Sequence, residues 1–180
     1  MIIPHSYDVV LKGFVAIPEF LRSTNYRNPV DSNNGPWQLG HGLSNKSIFE
    51  WLADNPKENN SMQTFFEADR GSRPDWVDWF PIEEKLLSDK DFAEDDVVLV
   101  DVAGGRGHDL DAFLKKFSDL KGRFVLHDLP FIISDETLAL NPRIEKKAFD
   151  FWVDQPVAGI LTTNFKKLLL TLYQERVYII

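Results

Sequence analysis

The sequence contains no cysteine. That absence excludes disulfides, thiolate metal sites and a cysteine nucleophile together, and a reducing cytoplasm is the compartment it fits. Basic residues are in the minority: 20 Lys and Arg against 28 Asp and Glu leave a net charge of −8 and a pI near 5.0. No basic block offsets the acidic balance, so nucleic acid is not an expected partner. Long apolar runs are missing too. None approaches the roughly 20 residues of a membrane span, and the start, MIIPHSYDVV, lacks the basic and apolar regions of a secretory signal. A soluble cytoplasmic protein is the expectation. No histidines and carboxylates cluster at metal-ligand spacing, so no metal is expected, and there is no internal repeat.

What is present divides in two. The chain has 180 residues, 43% of them hydrophobic, enough to bury a core in one domain or one domain with an appendage. Residues 1–95 are rich in aromatics and in helix breakers. The stretch NYRNPVDSNNGPWQLGHG (Asn25–Gly42) reads as mostly loop from its proline, glycine and asparagine. Ser47–Ala53 predicts a short helix with Ile48, Trp51 and Leu52 on one face. Asn60–Gly71 predicts another, with Ser61 as N-cap, Met62, Phe65, Phe66 and Asp69 at helical spacing, and Gly71 closing it. Pro74–Leu87 predicts a third, divided at Pro81.

From Asp96 the period changes. VVLVDV (Val97–Val102) is a continuous apolar run of strand length, the pattern of a strand covered on both faces. HDLDAFLKKF is amphipathic, with Leu110, Phe113, Leu114 and Phe117 on one side. GRFVLHDLP predicts a second strand, FIISDETLAL a helix, and RIEKKAFDFW a weak third strand. This alternation predicts an α/β fold: a partial Rossmann-like parallel sheet of about three to four strands in residues 96–180, preceded by the helical, aromatic-rich segment 1–95.

Glycines at 104, 105 and 107 lie between the first strand and its helix. There they permit a tight turn and close approach of a ligand to the backbone, with the first N–H groups of the helix facing it. Asp128 ends the second strand about twenty residues further on, where a carboxylate can take a ribose diol. The glycine motif alone is also compatible with a nicotinamide cofactor, or with a βα turn that holds no ligand.

In combination, VLVDVAGGRGHDL, FVLHDLP and AFDFWVDQPVAG are more specific. Together with NPVDSNNGPWQLGHG, FEWLADNP and RPDWVDWFP upstream, they resemble the fungal S-adenosylmethionine-dependent O-methyltransferases of the plant-caffeate-type family over roughly residues 5 to 159. The resemblance implies S-adenosylmethionine as cofactor and a phenolic or polyketide-type hydroxyl of secondary metabolism as acceptor. It places Asp101, Gly105 and Gly107 around the methionine half, Asp128 on the ribose, Leu129 against the adenine, and Asp150 and Phe151 at the adenine edge and face. Met62 and Phe66 are the candidates for acceptor contact. One departure stands in the turn itself, where Ala103 replaces the first glycine of the motif.

The family's catalytic histidine follows the fourth strand. Here the histidines are His5, His41, His108 and His127, and none follows residue 127. His41, in the aromatic-rich segment, is the remaining candidate for proton transfer. After DQPVAG the family continues directly into a strand; here ILTTNFKKLLLTLYQE intervenes before RVYII. The expectation is therefore a chain truncated at both ends. Its tail, residues 160–180, is atypical: Phe165–Glu175 predicts a helix, and RVYII a strand beside the first. The family's dimerisation domain would precede residue 1. Alternative readings are a cofactor-binding or interaction fragment without chemistry, forming a homodimer or pairing with a full-length homologue, and a repurposed pocket that steers a cyclisation.

Overall fold

The computed structural model describes residues 5–71, 74–88, 90–135, 140–150 and 161–164. The chain forms two compact units, Met1–Arg73 and Pro74–Ile180.

The first unit is helical. A π-helical segment, His5–Leu11, runs into α1 (Lys12–Ser23), which packs against α2 (Pro36–His41). Their contact is backbone to backbone: a Cβ built on Gly40 would lie 2.1 Å from the Lys12 carbonyl oxygen. Helix α2 starts with Pro36 in its first turn, where the missing N–H costs nothing, and ends at the left-handed Gly42. Helix α3 (Ile48–Asp54) falls where its periodicity predicts. Ser47 caps it reciprocally: its hydroxyl accepts the Glu50 N–H at 3.1 Å, and the Glu50 carboxylate accepts the Ser47 N–H at 2.8 Å. Helix α4 (Pro56–Arg70) departs from expectation at its start. It begins at Pro56, so Ser61 lies within the helix and is not its cap; the fixed φ of proline suits a first helical residue. Gly71 ends it as expected.

In the second unit, α5 (Trp76–Trp79) stops before Pro81, and a π-helical segment, Glu83–Leu87, follows. Four strands then build one sheet: β1 (Val97–Val102), β2 (Arg123–Asp128), β3 (Ile144–Ala148) and β4 (Leu161–Asn164). Their order is β3-β2-β1-β4, every neighbouring pair parallel. Helix α6 (His108–Lys116) connects β1 to β2 and buries Leu110, Phe113 and Leu114. Phe113 is the centre of that core, stacked with Trp76 at 5.8 Å and flanked by Phe117 and Phe124. Within the stretch expected to be helical after β2, the described helix is α7 (Pro130–Ile133); residues 136–139 lie outside the described residues.

The strand beside β1 is a correction. That place was expected for RVYII, and Leu161–Asn164 holds it, in register from Leu99↔Leu161 to Val102↔Asn164. Its paired threonines suit a pleated strand. RVYII and the helix expected over Phe165–Glu175 lie outside the described residues. No helix among the described residues is long and apolar enough to cross a membrane.

Candidate functional site

A parallel sheet with this order has a switch point between β1 and β4, where consecutive connections leave in opposite directions, and ligands bind beyond the carboxyl ends of the strands there. The residues singled out from the sequence collect at that edge. Asp101 is the penultimate residue of β1, the turn 103–107 follows it, Asp128 ends β2, and Asp150 lies just past β3. Phe149 donates its N–H to the Asp128 carbonyl at 2.8 Å, which ties the end of β3 to the end of β2. Phe151 lies outside the described residues.

The turn is built around Asp128. Gly105 N–H donates to Asp128 Oδ2 and Leu129 N–H to Oδ1, each at 2.7 Å. Burial pushes the Asp128 carboxyl above its ordinary value, and these two N–H groups partly offset that. Each oxygen retains lone-pair capacity after one such bond, so the carboxylate is aimed and still able to accept two hydroxyls. Gly104, missed when the site was read from resemblance alone, makes the close packing possible. A Cβ there would come within 2.4 Å of Asp101 Oδ2 and 2.6 Å of Leu126 Cδ1. Its signal was present in the glycine run itself. Gly107, at φ 72°, leads into α6.

Ala103 has a φ of 62°. A residue with a Cβ is strained in that left-handed region by roughly 1–2 kcal/mol, so the departure from glycine seen in the sequence falls on a position where it matters. Arg106, also unforeseen, turns its guanidinium to Asp135 at 3.6 Å, beside α7. His127 is buried in β2 against Phe149, ring centres 4.9 Å apart, whereas His108 is exposed at the start of α6.

In the first unit, His41 Nε2 lies 2.9 Å from the Val9 carbonyl oxygen, which also accepts the Trp37 indole N–H at 2.8 Å. The imidazole stacks on Trp37 and meets Trp51 edge-on. Burial lowers its pKa, favouring the neutral ring. Met62 is buried in α4, and Phe66 on the same helix is exposed. Two surface grooves of the second unit lie away from the turn. One of about 350 Å³ is lined by Phe80, Ile82, Lys116 and Phe117 at the far end of α6 from the glycine turn. The turn and the Asp128 carboxylate it holds suit a nucleoside with a free ribose diol.

Comparison with known proteins agrees with this fold. No family model matches the chain. It is 34% identical over 154 residues to O-methyltransferase mpaG' of Penicillium brevicompactum, an alignment covering 84% of this chain and 38% of that protein. Among solved structures it is similar to OxaC in complex with sinefungin and meleagrin, at 30% identity and a TM-score of 0.72, covering 87% of this chain and 39% of OxaC. It is also similar to LepI in complex with SAM, at 27% identity and a TM-score of 0.71, covering 86% and 39%. The chain thus spans well under half the length of the proteins it matches. Over that span about a third of its residues are identical to those of mpaG' and its fold matches OxaC and LepI, so the chain is related to S-adenosylmethionine-dependent O-methyltransferases.

Proposed function

We propose that the second unit binds S-adenosylmethionine and that the chain is the cofactor-binding portion of an O-methyltransferase. The observation that carries this reading is the Asp128 carboxylate, held by Gly105 and Leu129 N–H groups at the lip of the glycine turn. Bound there, the cofactor would supply a methyl carbon activated by its sulfonium. Asp128 would accept the ribose hydroxyls, Leu129 and Phe151 would take the adenine faces, and Asp150 its edge. Asp101, Gly105 and Gly107 would surround the methionine half. The sulfonium cofactors and analogues named with LepI and OxaC support the choice.

The acceptor on this reading is a phenolic or polyketide-type hydroxyl, with Met62 and Phe66 as its apolar contacts. Its proton needs a base. His41 is the candidate: with Nε2 bonded to the Val9 carbonyl and the ring neutral, Nδ1 is the nitrogen left to receive a proton. The second reading keeps the cradle and drops the chemistry. It is favoured by the packing of His41, whose ring stacks on Trp37 and whose Nε2 is held at the Val9 carbonyl. On either reading the cytoplasm is the proposed compartment. Pairing with a second copy or a full-length homologue would draw on exposed apolar residues of α1, Phe14 and Val15.

Calorimetric titration of the purified chain with S-adenosylmethionine and S-adenosylhomocysteine tests the cradle, with Asp128→Ala as control. Micromolar binding that disappears in the variant is the expected result, and a folded chain that binds neither ligand sinks the reading. Methyl transfer to simple phenols, lost in His41→Ala, then separates enzyme from binding fragment.

A further inference from the structure

We infer that Ala103 limits cofactor affinity through its own backbone, a proposal that rests on the cradle reading above. Ala103 carries a side chain at φ 62°, whereas Gly105 and Gly107 enter the same region without one. Its methyl group is exposed, so side-chain burial does not hold it there. Such conformations persist only where their surroundings over-determine them. Here the surroundings are hydrogen bonds from the turn. Ala103 N–H donates to the His127 carbonyl at 2.8 Å, Gly104 N–H to the same oxygen at 3.4 Å, and Gly107 N–H to the Gly104 carbonyl at 2.9 Å.

The bond from Gly105 N–H to Asp128 Oδ2 connects the strain to the site. The turn that Ala103 resists is the one that brings Gly105 to the carboxylate. When Ala103 relaxes to an extended or right-handed conformation, the chain direction after it changes and Gly105 N–H leaves Asp128. A ligand that needs the closed turn then binds with its intrinsic affinity reduced by the fraction of molecules in which the turn is closed. Glycine at 103 removes the penalty. Asparagine tolerates the left-handed region better than alanine while carrying a larger side chain, so the pair separates backbone strain from crowding of the ligand.

The experiment titrates the full chain and its Ala103→Gly and Ala103→Asn variants with S-adenosylhomocysteine. Amide exchange at Gly104 and Gly105 is followed in the same three proteins without ligand. Glycine is expected to tighten binding by about five- to thirtyfold, the range that removing this strain allows. Asparagine should fall between alanine and glycine, and exchange at Gly105 should slow in the same order. A dissociation constant for the glycine variant within about twofold of the parent, or weaker, overturns the proposal. Binding by the asparagine variant weaker than the parent's also overturns it, because the side chain and not the backbone would then be at fault. If none of the three binds while glycine still slows exchange, the strained turn stands and the cofactor reading fails. If exchange does not change either, both fail.

Discussion

Asp128 is the residue on which the site turns, and its chemistry gives two consequences. Hydrogen bonds to a charged group contribute roughly 1.5–3 kcal/mol each. On the proposed reading, in which Asp128 accepts two ribose hydroxyls, Asp128→Ala should therefore weaken S-adenosylhomocysteine binding by about a hundredfold or more in calorimetric titration. The second consequence concerns pH. Burial raises the Asp128 carboxyl above its ordinary 3.8, against the pull of the Leu129 and Gly105 N–H groups. The folded chain thus holds this proton more tightly than the unfolded chain, and the group's contribution to stability is fully present below 3.8 and declines as pH rises through the raised folded value. Ligand affinity runs the other way, since protonation removes acceptor capacity from the carboxyl. Affinity should therefore fall on acidification with a midpoint above 3.8, and the fall should be absent in Asp128→Asn. Titrations between about pH 4 and pH 7 read this directly. The acid was legible in the sequence because one spacing, a glycine turn to a strand end, fixes its place. The φ of Ala103 was not: an alanine reveals its conformation only once its hydrogen bonds to β2 are known.

Elements were legible where one period dominates. β1, α6 and β2 repeat the sequence reading almost residue for residue, because an unbroken apolar run and a one-sided helix each have few alternatives. The reading failed where no apolar period marks the element. Leu161–Asn164 joins the sheet with three polar residues in four, a pattern that competes poorly with the apolar RVYII downstream. The α4 boundary slipped because a serine cap was preferred to a proline start. The packing of α1 on α2 was also invisible, since glycine leaves no hydrophobic signal. It nevertheless gives a sharp test at Gly40. In an ordinary helix interior, glycine to alanine stabilises by roughly 0.5–1 kcal/mol. Here the new Cβ would meet the Lys12 carbonyl oxygen at 2.1 Å, its carbon at 2.5 Å and Gly13 N at 2.9 Å. These are backbone atoms, and α1 must move to make room. Gly40→Ala should therefore destabilise by about 2–3 kcal/mol, as overpacking does. Urea unfolding followed by tryptophan fluorescence measures it; a neutral or stabilising result would show that the helices are not in backbone contact.

At the scale of the molecule, the division into two units decides where a ligand is felt. The proposed cofactor contacts named from the sequence, Asp101 to Phe151, belong to Pro74–Ile180, whereas His41, Met62 and Phe66 belong to Met1–Arg73. Binding stabilises what it touches by mass action, about 2.7 kcal/mol at a ligand concentration a hundred times the dissociation constant. S-adenosylhomocysteine at that level should raise the melting temperature of the second unit by several degrees. Hydrogen exchange should place new protection at the turn 103–107, at Asp128 and Leu129, and along β1. On the proposed reading the hydroxyl acceptor protects α4 instead, the helix that carries Met62 and Phe66. Adding the two ligands separately and then together therefore maps cofactor and acceptor onto different units. Protection of α4 by S-adenosylhomocysteine alone would contradict the division of roles, since a residue given to the acceptor would then be answering to the cofactor.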